Sequence, residues 1–507
     1  MADQGVRRRE ENELAAALVK GPAEVLDFFL PLWVGIQLGA SAAEVGALTA
    51  LETLVSFLVR PLAGVLADRA DRGRVAAAGA VLYGLSFVVY AVTPGIGLAY
   101  VGAVLGGAGG ALFWVALRAR VGEGLSTDDS AFSRLFAAEG GGTWIAFVVA
   151  MTLVKWLDYR GVFALGAVAC VVAAALLGFS RAPRGEPALE APRLGQVGKR
   201  LRPMLGLVAL TALAEGGVAL LLLLHLQRGH HLELGQIAAV FLPGFIVYSV
   251  LPGYLHGFVR RLGRTRVLAL AMLASAVFAA GLAFAPDPVT IAVMWILSAA
   301  AFAAAVPVEQ AVVAEAAGGS LGRGMGIYES ATLLGATIGT FVAGQLYGSG
   351  GIGWRVACFG AAGLLVLGAL VVRGAVRRIG VAEFPVEQAK TLSQKEKPAS
   401  EPGVTVSGVI DVPPQEANPV KRGTNTRAKP LANWGAHVAV FVLAQGVLAF
   451  AGYSWPVEAV FGGPHDAGWF WNWSGHWLLN AGRIWTAVLV LDTVWTWGRF
   501  ALRSRAC

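Results

Sequence analysis

Apolar runs of roughly 20 residues, divided by short polar breaks, dominate this chain. A hydrocarbon core about 30 Å thick is crossed by ~20 helical residues. In lipid only a helix or a closed barrel satisfies its own backbone, so each run predicts a spanning helix. Six runs lie near 20–39, 43–67, 75–94, 97–117, 131–155 and 161–180. After the polar stretch RAPRGEPALEAPRLGQVGKRLRP, six more lie near 204–226, 234–259, 265–285, 288–312, 323–348 and 352–373, and a last pair near 433–455 and 476–499. The expected fold class is therefore an all-α polytopic membrane protein with six spans over 1–182 and six over 203–376, joined by a loop over 183–202. A linker over 377–431 leads to a two-helix hairpin over 432–507. The linker is rich in Pro, Lys, Glu, Ser and Thr and cannot bury enough apolar surface to fold alone.

Charge orients the array. Arg7 to Arg9, Arg69 to Arg74, Arg118 and Arg120, Arg181 to Arg202, Arg260 to Arg266, Arg323 and Arg373 to Arg378 all fall on alternate connections. The intervening loops are nearly free of cations. Basic loops stay on the cytoplasmic side, which predicts cytoplasmic termini and a multi-pass protein of a bacterial inner membrane. The charged start, MADQGVRRREENELAAALVK, has no cleavable apolar segment with a small-residue cut site, so the first span is expected to be retained.

Composition agrees with the pattern. A mean hydropathy of +0.64 excludes an ordinary soluble globule. The 66 glycines suit membrane helices whose backbones approach closely. A net charge of +8 raises nucleic acid as a partner, but the cations sit in loops and tails rather than on one soluble face, so none is expected. Cys170, Cys358 and Cys507 have no metal-ligand spacing.

The two halves read as a repeat. Adding 192 to Arg69, Arg72, Arg74 and Val75 lands on Arg261, Arg264, Arg266 and Val267; adding 190 to Glu139 lands on Glu329, and adding 191 to Glu24 lands on Glu215. Arg260 occupies the place of Asp68, so the second copy lacks the acid. The first copy, RPLAGVLADRADRGRV over 60–75, places Gly64 for close helix approach and Asp68 at the membrane edge among Arg69, Arg72 and Arg74. There Asp68 can pair with cations and with the positive start of a neighbouring helix, a latch able to break and re-form.

This loop resembles the one between helices 2 and 3 of the major facilitator superfamily: Gly, three residues, Asp-Arg, one residue, Gly-Arg and a further cation. Asp71 stands where the family usually has glycine, and Gly73 follows two places later. Twelve spans as six plus six, the basic loop after spans 2 and 8, and GRGMGIYESATLLGATIGTFVAGQLYG in span 11 extend the resemblance over about residues 14–376. The resemblance implies two six-helix bundles, 1–182 and 203–376, facing one another around a central cavity lined by spans 1, 4, 7 and 10, and rocker-type alternating access. Proton-coupled drug exporters of that family usually carry an arginine in span 4 followed four residues later by glycine; here Gly102 and Gly106 stand at those places. The residues after the twelfth span lie outside the resemblance.

Carboxylates in mid-membrane are costly unless protonated, paired or hydrated, and so mark candidate function. Glu24 and Asp27, three apart, share a face of span 1, and Glu215 lies at mid-depth in span 7. Asp27 and Glu215 are the candidate proton carriers, expected to approach one cavity from opposite halves; Glu24 is either a third or a cap at the helix end. Glu309 is placed at the cytoplasmic mouth and Glu315, beyond it, in solvent. Glu52, Glu139 and Glu329 are expected at the seam between halves, with Arg60 a partner for Glu52 or Asp68. The gating set is Gly64, Asp68, Arg69, Arg72, Arg74, Arg261 and Arg264, while Arg118 and Arg120 read as topology anchors. Trp114 is assigned either to the cavity or to the headgroup zone.

No metal or cofactor is expected. His230 and His231 are adjacent and read as a loop, and His437 and His476 sit at opposite ends of the hairpin, too far apart to share one haem. Trp455, Trp469, Trp471, Trp473 and Trp477 read as an interfacial belt, and Arg483 and Asp492 as contacts to other helices. The expected activity is secondary transport of a small-molecule or lipid-like substrate, not an enzymatic reaction. The alternative is a transporter-like scaffold that docks another membrane protein through 432–507.

Overall fold

The protein is described by a computed structural model. It covers residues 2–126, 128–180, 193–232, 234–285, 287–348 and 351–384, with part of 434–497. The chain falls into two compact units, one holding Met1–Glu233 and Val240–Leu392, the other Leu234–Ala239 and Ser393–Cys507.

In chain order the helices are α1 (Ala2–Gln37), α2 (Ala42–Arg69), α3 (Arg72–Val92), α4 (Ile96–Gly122) and α5 (Ala131–Gly178), then α6 (Leu194–Leu224), α7 (Leu234–Val250), α8 (Pro252–Leu262), α9 (Arg264–Leu282), α10 (Pro288–Ala317), α11 (Leu321–Gly348) and α12 (Gly351–Ile379), all in the first unit but for Leu234–Ala239 of α7. Two expected spans merge in α5, where Asp158 takes φ 56° and ψ 177° between them. Gln37 Nε2 donates to that carboxylate at 3.0 Å, fixing the turn against the end of α1. One expected span is instead broken: α7 and α8 meet at a 58° bend beside Pro252. Among the described residues nine helices are long and apolar enough to cross a membrane, or ten with the bent pair.

Packing repeats between the halves. In the first, α1 lies against α5, and α3 against α4 and α5; in the second, α6 lies against α11, and α9 against α10 and α12. Both derive from the same order of apolar runs, which is the repeat seen in the sequence. Inner faces are aromatic: Trp33 is fully buried, its ring centroid 5.2 Å from Phe163 and 6.3 Å from Tyr90. The outer faces leave Leu54, Leu58 and Leu62 on α2 and Val81, Leu85, Val88 and Val92 on α3 exposed. On a soluble protein that patch would promote association; on a membrane protein it meets lipid.

The first apolar run was expected to begin near residue 20, yet α1 starts at Ala2. The added turns carry Arg, Glu and Leu, which are good helix formers. Their charges find partners far along the chain: Arg8 pairs with Glu123, Arg9 lies 3.6 Å from Asp128, and Glu13 accepts from Arg134 Nε at 2.9 Å.

Candidate functional site

Asp68 meets the start of a neighbouring helix. At the end that carries the basic loops, the Asp68 carboxylate accepts the backbone N–H groups of Gly322 at 2.6 Å and Arg323 at 3.1 Å, and the Arg323 guanidinium at 2.9 Å. It thus occupies the positive start of α11, as its place at the membrane edge predicts. Arg72 adds a contact at 3.3 Å and reaches Glu123 at 2.5 Å. The backbones come close because Gly64 faces Gly322: a Cβ on Gly64 would lie 2.5 Å from the Gly322 carbonyl oxygen. The other members of the gating set separate. Arg69, Arg74 and Arg261 are exposed. Arg264 is buried and pairs with Glu315 at 2.7 Å and 2.5 Å, so Glu315 is ion-paired rather than solvated.

In the second copy of the loop the polarity is reversed. Asp129, at the entry to α5, lies 3.0 Å from His256 and 3.9 Å from Arg260 of α8. The cation at the place of Asp68 therefore meets an acid on the opposite half.

Deeper in the seam, Arg118 is a hub instead of a topology anchor. It is 9% exposed, bonds Glu139 at 3.2 Å and pairs with Glu329 of the other half. Arg60 also goes to Glu329, donating to its backbone oxygen at 2.7 Å with its carboxylate 3.3 Å away, and not to Glu52 or Asp68. Trp114, buried, lies with its ring 4.9 Å from the Arg118 guanidinium and 5.9 Å from Lys20 Nζ. Lys20 in turn pairs with Glu24. The expectation had no place for Lys20, although a lysine four residues before Glu24 is a helical pair readable in the chain.

Glu52 does not join this seam. It stands inside the first half, where a Cβ on Gly106 would lie 2.9 Å from its Oε1 and 3.0 Å from Ser86 Oγ. Tyr90 packs over Gly102. The two α4 glycines at the family's arginine and glycine places thus clear room for a carboxylate and a phenol. Asp27, exposed along α1, acts electrostatically on Glu52, Tyr83 and Tyr90, and feels Glu24 and Lys20.

In the second half, Glu215 is half-buried and feels the charge of Glu309, which is buried and accepts from the Tyr328 hydroxyl at 3.4 Å. Asp27 and Glu215 thus belong to separate clusters. Tyr248 lies between, within reach of the charges of both Glu215 and Glu24. Tyr248 carries no signal in the sequence; only the packing reveals it.

Outside the spans, Asp128 keeps its carboxyl at about 2: burial opposes its charge, but hydrogen bonds from Arg134 and Ser130 outweigh burial. Among the described residues no group of three or more His, Cys, Asp or Glu is placed to hold a metal ion. His225 stacks on Trp354 at 4.3 Å, and its ring is 4.9 Å from that of His230. In the second unit, Arg483 is buried with its guanidinium 5.8 Å from the Trp455 ring, so Trp455 packs inside that unit. Trp469, Trp471, Trp473, Trp477, His437, His476 and Asp492 lie outside the described residues.

The Major Facilitator Superfamily model matches residues 14–251 and 204–500. The chain belongs to the Major Facilitator Superfamily. The second match runs on through the terminal segment, which the sequence resemblance had left outside the family. The fold is similar to that of the human organic anion transporter MFSD10 (TETRAN), at TM-score 0.60 and 16% identity, over 72% of this chain and 99% of that one. It is also similar to a bacterial homologue of the iron transporter ferroportin in an outward-facing state, at TM-score 0.60 and 17% identity, over 73% and 99%. No curated protein matches the chain.

Proposed function

We propose that this member of the superfamily is a secondary transporter that moves a small solute or amphiphile across the bacterial inner membrane by alternating access, with proton coupling through Asp27 and Glu215. The observation that carries the reading is the Asp68 latch: a buried charge of one half held by the helix start of the other. A contact built from hydrogen bonds and glycine-backed approach is one that two rigid halves can make and release, unlike an apolar core shared between them. Basic loops flank it, which supports reading the closed end as the cytoplasmic one. The cargoes named for the two similar proteins, organic anions and iron, differ, and identities of 16% and 17% transfer neither.

Proton coupling rests on unpaired acids within spans. Asp27 receives no hydrogen bond from any described residue, and an isolated carboxylate there is stable only if it takes a proton, water or cargo. The test is reconstitution in liposomes under an imposed pH gradient, using solutes selected for thermal stabilisation of the purified protein. Gradient-driven flux should vanish in Asp27→Asn while exchange without a gradient persists. Unchanged gradient dependence in both Asp27→Asn and Glu215→Gln would remove those residues from the coupling.

A further inference from the structure

A cavity of about 160 Å³ lies within the second half, lined by α6, α7, α9, α10 and α12. Its lining combines the Glu215 carboxylate with four aromatic rings, Tyr248, Phe278, Trp295 and Phe302, and two serines, Ser275 and Ser298. The rings form walls. Tyr248 stands at 83° to Trp295, centroids 6.0 Å apart, and at 87° to Phe302, 6.3 Å apart, while Phe278 leans on Trp295 at 6.0 Å. Trp295 is held by its indole N–H, which donates to the Phe241 carbonyl at 3.1 Å. The box is thus fixed by helix packing.

Charge decides what fits it. Glu215 has neither an ion pair nor a hydrogen bond among the described residues. The charge that acts on it is a second carboxylate, Glu309. A negative centre at one wall and the electron-rich faces of aromatic rings at the others stabilise a positive, weakly hydrated guest. A metal ion is a poor match, since three hydroxyls and one carboxylate give too few charged oxygen ligands beside so many rings. An anion would meet like charge. A small organic ammonium head satisfies both features, with its charge on Glu215 and its alkyl groups against the rings.

We propose that this cavity binds the ammonium group of a small organic cation, with Glu215 as counter-ion and Tyr248, Trp295 and Phe302 as its cage. The proposal deepens the transport reading, on which its physiological sense rests, but binding is measurable without transport. Purified full-length protein is titrated with choline and, separately, with 3,3-dimethylbutan-1-ol, which has the same shape but carbon in place of the charged nitrogen. Choline should bind at least about tenfold more tightly. Glu215→Gln should abolish that preference, and Trp295→Leu should weaken choline more than the alcohol. Thermal unfolding shows whether each variant is folded; the choline-to-alcohol ratio of the unmodified protein stands regardless of the variants. Equal affinities, no binding of either probe, or a preference that survives in folded Glu215→Gln would each overturn the cation site. Gradient-driven flux of another solute would leave the transport reading intact in those cases.

Discussion

The carboxylate of Asp68 accepts the backbone N–H of Gly322 at 2.6 Å, 254 residues further along the chain. Both oxygens are engaged, since Oδ2 takes the N–H and the guanidinium of Arg323. Asn at 68 would keep the shape, lose the charge, and present an NH2 where one acceptor is needed. The closed arrangement should lose about 2–3 kcal/mol, because hydrogen bonds to charged groups are worth roughly 1.5–3 kcal/mol. Spin-label distances across the ends of α2 and α11 should then show an open population absent from the unmodified protein.

Glycine at 64 is required by the Gly322 carbonyl, 2.5 Å from where a Cβ would lie. Backbone has little room to yield there, so Gly64→Ala should cost the closed state about 1–3 kcal/mol, the usual range for overpacking. Labelling of Met325→Cys, at a position fully buried in the parent, should accelerate when Gly64→Ala is added.

Arg118 neutralises two carboxylates of different helices, Glu139 and Glu329. Arg118→Met leaves both beside a hydrophobic side chain, and breaking a buried pair from one side costs about 3–5 kcal/mol. A lower thermal midpoint is expected, with partial recovery when Glu329→Gln is added. Recovery would be missing if Arg118 acted only through its packing on Trp114.

Asp128 has an acid-side signature. Hydrogen bonds hold its native carboxyl at about 2, below the ordinary 3.8, so its contribution is complete above the unfolded value and is lost as pH falls through the native one. Unfolding followed between pH 4 and 2 should show a loss of stability that Asp128→Asn flattens. The effect is small, since the side chain is 30% exposed.

Spans were legible because hydropathy and loop charge are local properties, and Asp68 contacts a helix start of the kind its position at a membrane edge suggests. Residues whose roles depend on what faces them were not. Arg118 looked like an anchor because it ends an apolar run; the inward face of α4, invisible in a linear reading, turned it toward Glu139 and Glu329. Glu52 was assigned to the seam from its helix, but the side of α2 on which it lies meets Gly106 and Ser86. Tyr248 carries no charge to draw attention, and its position between Glu24 and Glu215 appears only once α7 is placed.

The polar head of α1 has consequences for biogenesis. Arg8 is made 115 residues before Glu123, and Glu13 is made 121 before Arg134. While the ribosome produces the first four helices, these charges have only water and lipid headgroups to answer them. The opening segment therefore settles when the start of α5 emerges, and the first half can lock its own cap before the second half has been translated.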